Sequence, residues 1–293
     1  MFGLDGTHVR TVGRRGGGPS EFASLAGMTW SPDGKLWAMD NGNARVSVFD
    51  TAGSYVTAHA RAGGLMVTPW RGGFDRQGFF YDQGAVAGER AMTPVLNRFS
   101  PSMERAGSIA LPQPARDEFV HEGSSSQLRA GVPFTPYLVW RLDGAGGIWA
   151  GVSDRYRLAR VRFDGDTSQV IERRVDPVSV TAEERDAAVE ELAWFTKAGG
   201  RVDHARIPRI KPAFRSVVVD DAGFLWVRPE QSREATGVLD VFDPAGRFLG
   251  SVAVPSPLGP FPLITVRGNH VYAAIRGDND EPLVVRWRIV GRR

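Results

Sequence analysis

The stretch from Val219 to Gly250, VDDAGFLWVRPEQSREATGVLDVFDPAGRFLG, constrains this chain more than any other. It reads as one antiparallel unit: a turn at Asp221-Ala-Gly223, a strand from Phe224 to Val227, a polar excursion, and a strand from Val238 to Phe242. A second turn, Asp243-Pro-Ala-Gly246, leads into a third strand from Arg247 to Val252. Asp/Gly pairs between runs of apolar and β-branched residues signal hairpins, because glycine supplies the positive φ that tight turns need.

The unit recurs along the chain. Asp33-Gly34 before Trp37, Arg76-Gln-Gly78 before Phe80, Gly144-Ala-Gly146 before Trp149 and Arg267-Gly268 before Tyr272 fall on the frame of Asp221-Ala-Gly223 before Trp226. After a variable segment each is followed by an apolar-aromatic strand: Val46 to Phe49, Val95 to Phe99, Ala159 to Phe163, Val238 to Phe242, and Val284 to Trp287. The aromatic anchors lie 43, 69, 77 and 46 residues apart. Two of these spacings match the roughly 40–50 residues of a four-stranded propeller blade, and the other two a blade plus an insertion. The expected fold is therefore all-β, a β-propeller of four-stranded antiparallel blades, with five blades and part of another visible. It would form a single domain over residues 1–293, its aromatic anchors packed between blades.

Length and composition agree with one closed β domain, since 293 residues with 42% hydrophobic content can bury a large core. No run of about 18 apolar residues occurs, so no membrane span is expected. Cysteine is absent, which removes disulfides and thiolate metal sites. The formal net charge of +3 comes from 36 basic and 33 acidic residues, and Lys35, Lys197 and Lys211 are the only lysines. So small a balance gives no reason to expect a nucleic-acid partner. A monomer is expected.

The segment from Phe2 to Val12 resembles the end of a repeat. Either Thr7 to Val12 supplies the outer strand of the last blade and closes the ring, or a leading blade is missing from this chain. No signal-peptide pattern occurs. Gly13-Arg-Arg-Gly-Gly-Gly18-Pro-Ser20 approaches a phosphate-binding loop, but Pro19 stands where the lysine should be and no helix pattern follows. A flexible inter-blade connection is expected there.

The order G-R-x-G-G-G-P-x-E-F (Gly13 to Phe22), then S-P-D-G-x-L-W-x-x-D-x-G-N-x-R-V-x-V-F-D (Ser31 to Asp50), resembles an NHL-type β-propeller repeat. The chain is similar more narrowly to uncharacterised bacterial six-bladed β-propeller proteins, a likeness that continues through Lys211 to Val227 and Asp278 to Val290. The resemblance implies six blades and an exported, extracytoplasmic protein. It supplies no catalytic residue.

Two insertions interrupt the repeat. Residues 113–134 are polar and irregular, and a surface loop is expected. The second insertion, 179–212, contains TAEERDAAVEELAWFTKA at 181–198. Thr181 and Glu184 make a capping box, Val189, Leu192 and Phe195 share a face, and Gly199-Gly200 end the pattern. One amphipathic helix docked on the propeller is expected, followed by a basic, solvated connector from Arg201 to Lys211.

Topology then locates a site. With strands A to D taken in chain order, the A–B and C–D turns of an up-and-down blade emerge on one face, and the B–C loops and D-to-A connections on the other. The B–C segments are the longer ones: Asp40 to Arg45, Gln83 to Thr93, Ser153 to Arg157, Glu230 to Thr236 and Gly277 to Glu281. Both insertions lie in D-to-A connections. Binding sites favour loops held on a rigid scaffold, so this loop-rich face is the expected ligand-binding face. Its candidate residues are Asp40, Asn41, Arg45, Asp154, Arg155, Tyr156, Arg157, Glu230, Asp278 and Asp280. Asp40-Asn-Gly-Asn43 also reads as an ordinary Asx turn.

Catalytic signatures are scarce: there is no H-E-x-x-H, no G-x-S-x-G, and the five histidines are scattered. No catalytic residue, resident metal or cofactor is expected, although Asp278-Asn-Asp280-Glu281 could offer oxygen ligands to calcium or another divalent cation. The leading expectation is a non-enzymatic binding propeller for a protein, peptide or glycan. The alternative is a metal-assisted hydrolase or lyase resembling gluconolactonase-like or streptogramin-lyase-like propellers, with Asp40, Asp154, Glu230 and Asp278 as its carboxylates. Convergence of three or more carboxylates would favour the enzyme, and dispersed ones the binding protein.

Overall fold

The computed structural model describes residues 1–293 except 4, 62–67, 88–91, 124–125, 231–236, 257, 260–263 and 292–293. It shows an all-β propeller architecture of five antiparallel blades with few helices. Blade 1 comprises Leu25–Trp30, Leu36–Asp40, Arg45–Phe49 and Tyr55–Ala60, and blade 2 Gly73–Phe74, Phe80–Ala87, Met92–Phe99 and Arg105–Ala110. Blade 3 comprises Leu138–Leu142, Ile148–Val152, Arg157–Val161 and Thr167–Glu172, and blade 4 Phe214–Val219, Leu225–Pro229, Val238–Phe242 and Phe248–Ala253. Blade 5 has three strands among the described residues, Ile264–Arg267, His270–Arg276 and Pro282–Arg288. The blade count is thus five, against the six implied by the resemblance.

The chain divides into two compact units, one of Met1–Leu111, Leu142–Ile148 and Arg162–Asp166, the other of Pro112–Arg141, Trp149–Val161 and Thr167–Arg293. In the first, Ala26, Trp37, Met39, Val46, Val48, Trp70 and Phe80 form a core between blades 1 and 2. In the second, one cluster including Trp149, Leu158, Phe214 and Val227 lies between blades 3 and 4, and another including Trp226, Val241 and Val271 between blades 4 and 5. In blades 1 and 4 the second and third strands are buried on both faces, which is why they read as continuous apolar runs, whereas the outer strands Tyr55–Ala60 and Phe248–Ala253 and the third strand of blade 5 keep exposed positions.

The A–B turns follow a local rule. In blade 4 the Asp220 carboxylate accepts the Ala222 and Phe224 N–H groups at 3.0 and 2.8 Å, and Gly223 sits at φ 86°. Asp75 accepts from Gln77 and Phe79, Asp143 from Ala145 and Gly147, and glycine at positive φ closes each turn. The second carboxylate oxygen is also used: Trp226 Nε1 donates to Asp220 at 3.1 Å and the Tyr81 hydroxyl to Asp75 at 3.0 Å. Register therefore makes Tyr81, not Phe80, the blade 2 equivalent of Trp226. In blade 5 the equivalent is buried Val271, while Tyr272 is half-buried, because the Gly268-Asn269 turn is shorter.

Several expectations are corrected. Residues 7–10 pair with the chain's own first residues, through the Phe2–His8 bridge, the Gly3 N–H to Thr7 O bond and the Val9 N–H to Met1 O bond. The Gly13–Phe22 loop is pinned rather than loose. Arg14–Arg15 pairs in parallel with Glu21–Phe22, Glu21 accepts from the Gly18 N–H, and Arg45 donates to the carbonyls of Gly18 and Glu21. Segment 83–93 is largely strand, since Phe80–Ala87 pairs with Met92–Phe99 out to Ala87 and Met92; residues 88–91 lie outside the described ones.

Residues 113–134 are not a surface loop, because Glu118–Glu122 and Gln127–Gly131 form a hairpin. The capping box of Thr181 and Glu184 is present, but the helix is broken into Ala182–Glu190 and Ala193–Lys197. No residue of the first helix is buried. The break turns Phe195 into a core with Phe119, Ala130, Val132 and Ile207, with Val189 and Leu192 at its margin. The two insertions thus cover each other's apolar sides. The connector after them is tied down too: Val180 and Lys211 donate main-chain bonds to Arg209 and Val178.

Candidate functional site

In the first unit, Asp40, Asn41 and Arg45 hold the fold together. Asp40 is buried and accepts from the N–H groups of Ala23, Ser24 and Asn43 and from the Asn43 side chain. Burial alone would raise its pKa, but these donors outweigh it and hold the carboxyl below its ordinary value. The Asn41 side chain accepts from Arg61 at 2.9 Å and donates to Thr68. Arg61 also makes a bidentate pair with Asp82, at 2.7 and 2.9 Å, and Trp70 Nε1 donates to the same carboxylate. Asp40, Asn41, Arg61 and Asp82 are thus engaged by partners within the unit.

The second unit holds a different arrangement. A cavity of about 930 Å³ is lined by the blade 3 B–C turn (Asp154, Arg155, Tyr156), the segment from Glu172 to Val178, residues Ile210 to Ala213, and Pro229, Glu230, Val238, Asp240 and Ser251. Main-chain bonds link its walls: Arg173 N–H to Tyr156 O, Lys211 N–H to Val178 O, Ala213 N–H to Ser153 O, and Glu230 N–H to Ala213 O. The walls are therefore held before any ligand arrives. The blade 3 B–C turn, the two ends of the blade 4 B–C segment (Glu230 and Val238) and the D-to-A connection between these blades meet here, while residues 231–236 of that segment lie outside the described ones.

The cavity floor is a closed polar network. Asp240 accepts from the Tyr156 hydroxyl at 2.9 Å, from Ser251 at 2.5 Å and from Arg173 at 2.5 Å. Burial, reinforced by the Asp240 charge, pushes the Tyr156 phenol well above its ordinary pKa, so it acts as a fixed donor. Glu230 pairs with Arg215 at 2.6 Å, and its side chain is 6% exposed. Lys211 is anchored on Glu184 at 2.5 Å. The rim contrasts with this floor. Asp154, Arg155, Arg174 and Asp176 are exposed, and their side chains have no hydrogen-bond or ion-pair partner among the described residues. Arg157 stands beside the cavity, 3.8 Å from Glu172.

No family model matches the chain, and neither does any curated protein. Among solved structures, it is similar to a protein of unknown function from Bacteroides caccae, at 9% identity over 90% of this chain and 77% of the other, with a TM-score of 0.47. It is similar also to virginiamycin B lyase from Staphylococcus aureus, at 14% identity over 91% and 70% of the chains and a TM-score of 0.41. A gluconolactonase from Xanthomonas campestris matches at 13% identity over 84% and 67%, with a TM-score of 0.39.

Of the ten residues expected at the site, Asp154, Arg155, Tyr156 and Glu230 share this cavity and Arg157 flanks it. Asp278 and Asp280 instead lie exposed in the blade 5 hairpin, which is a tight turn from Gly277 to Glu281 with Asp280 at φ 62°. Asp280 stands 3.5 Å from Arg276. No group of three or more His, Cys, Asp or Glu side chains among the described residues is placed to share a metal ion. Sequence reading missed Arg173, Arg174, Asp176, Lys211 and Asp240. One signal was available: an arginine directly follows the outer strand in both blade 1 (Arg61) and blade 3 (Arg173), and each reaches a carboxylate of the next blade.

Proposed function

We propose that this protein is a non-enzymatic binding propeller that recognises a protein, peptide or glycan with the loop-bordered cavity of its second unit. The observation that carries this reading is the division of labour among charges there. Every floor group named above has an internal partner, while two cations and two anions at the rim have none among the described residues. Asp240 and Glu230 are occupied as structural acceptors, and Asp154 and Asp176 are exposed to solvent. A volume of about 930 Å³ lies within the roughly 300–1,000 Å³ usual for ligand sites. No helix among the described residues is long and apolar enough to cross a membrane. The proposal includes an extracytoplasmic setting, in keeping with the family resemblance.

The test is direct. The full chain and its Arg155→Glu/Arg174→Glu double variant would be probed on a random peptide array and a glycan array, with folding checked by thermal melting. Binding by the wild type to features of at least one array, lost in a folded double variant, is expected. Binding to neither array, or binding unchanged by the charge reversals, would overturn the reading.

A further inference from the structure

A second cavity, of about 520 Å³, is lined by Val132, Phe134, Thr135, Tyr137, Pro212, Arg215 and Glu230. It shares Pro212 and Glu230 with the larger one. Its character is different, with walls of valine, phenylalanine, tyrosine and proline beside the Arg215–Glu230 ion pair. The wall between the two is held by main-chain and side-chain hydrogen bonds. Tyr137 N–H donates to Ser153 Oγ at 3.0 Å, Ser153 N–H donates to Tyr137 O at 3.0 Å, and the Tyr137 hydroxyl donates to Arg215 O. Phe134, which lines the pocket and packs against the insertion core, sits at φ 61°, a conformation that a bulky residue rarely adopts. Nearby, Arg228 donates to the carbonyls of Leu258 and Gly259, and burial, with the Arg215 charge beside it, lowers its proton affinity.

We infer that these two cavities form one peptide-binding site, in which the smaller pocket takes a single large apolar side chain and the larger cavity takes the flanking backbone and charged residues. This deepens the proposed binding function and rests on it. Two features select a peptide over a glycan. Sugar rings are held on exposed aromatic faces, and among the described residues the larger cavity offers none, because the one aromatic residue in its lining, Tyr156, is 2% exposed and tied to Asp240. The rim also presents charges of both signs, Arg155 and Arg174 with Asp154 and Asp176, that have no partner among the described residues and complement a chain bearing acidic and basic groups. An apolar anchor in a desolvated pocket ringed by charged contacts is the usual energetic centre of a peptide interface.

The experiment uses the full chain and a phage-displayed library of random dodecapeptides. Expected is enrichment of sequences with one Leu, Phe, Met or Trp flanked by charged residues. A synthetic copy of an enriched peptide should slow amide exchange in both 132–137 and 153–156 of the wild type. Replacing its apolar anchor by alanine should weaken binding about tenfold to a hundredfold. Thr135→Phe, which narrows the pocket, should do the same while Arg155→Lys does not. Protection confined to 153–156 and 172–178, with no dependence on an apolar anchor, would overturn the two-pocket inference and leave the binding function standing. No enriched peptide, together with glycan-array binding lost in the charge-reversal variant, would overturn the peptide assignment alone. The wild-type exchange pattern decides the matter even if Thr135→Phe does not fold.

Discussion

The same turn carries different acceptors in blades 1 and 4, and exchanging them tests what the recurring aspartate does. Trp226 and Trp37 each follow the turn acceptor by six positions, Asp220 in one blade and Ser31 in the other. Asp220 accepts from Ala222, Phe224 and Trp226 Nε1. Ser31 accepts from the Lys35 N–H at 3.2 Å, the counterpart of the Phe224 bond, but its shorter side chain does not reach the indole. Trp37 Nε1 is accordingly buried with no hydrogen-bond partner. Asp220→Ser should keep the Phe224 bond and lose the other two. One is a buried indole donor, costing about 1–3 kcal/mol when left unmade, and the other a turn bond worth about 0.5–1.5 kcal/mol. The expected loss is about 1.5–4.5 kcal/mol, read as a lower urea midpoint with an unchanged slope. The reciprocal Ser31→Asp gives Trp37 its missing acceptor. Paired with Asp33→Ser, to avoid a second carboxylate two residues away, it should raise stability by about 1 kcal/mol. A loss below about 0.5 kcal/mol for Asp220→Ser, or a clear destabilisation by the reciprocal pair, would refute the reasoning.

Two further outcomes follow from buried polar groups. Arg61 and Asp82 form an ion pair with side chains 4% and 5% exposed, so Asp82→Ala strands a buried guanidinium and should cost about 3–5 kcal/mol in urea unfolding. Arg61→Met/Asp82→Leu should recover most of that loss, and a single variant within about 1 kcal/mol of wild type would contradict the assignment. Tyr81 has its pKa raised to about 12 by burial and by the adjacent Asp75 carboxylate. The neutral phenol is favoured in the fold, so its contribution is complete below the unfolded value near 10 and is lost as pH rises from 10 towards 12. Tyr81→Phe should flatten that part of the alkaline stability profile, and an unchanged profile would show that Tyr81 does not titrate as described.

The blades were legible because their determinants are local. A strand buried on both faces shows as an apolar run, and a turn that needs positive φ shows as glycine, after Asp or Ser in four blades and after Arg267 in blade 5, so five units could be found from Trp37, Phe80, Trp149, Trp226 and Tyr272. Their register was less legible. Phe80 and Tyr81 are both aromatic and both buried, and only the hydrogen bond to Asp75 shows which one matches Trp226. The two insertions were misjudged for a related reason. Residues 113–134 look polar because their few apolar positions, Phe119, Leu128, Ala130 and Val132, bury themselves against Phe195 and Ile207 more than 60 residues later.

The candidate site was partly legible through loop topology, which places Asp154, Arg155, Tyr156 and Glu230 on segments that must emerge together. Topology cannot say which charges are already neutralised. Asp40 and Glu230 look alike in sequence, as acidic residues at the end of a second strand or just beyond it, yet Asp40 is saturated by three backbone donors and Asn43 while Glu230 faces two cavities. The difference lies in partners set by long-range contacts. Arg173 and Asp240 are 67 residues apart, and Arg215 and Glu230 meet across neighbouring strands of one blade. A charge becomes available for a ligand when its local turn does not consume it and no distant strand returns to pair it. Among the described residues at the cavity, Asp154, Arg155, Arg174 and Asp176 meet both conditions, so the proposed recognition would draw on the rim while the paired groups beneath it hold the walls.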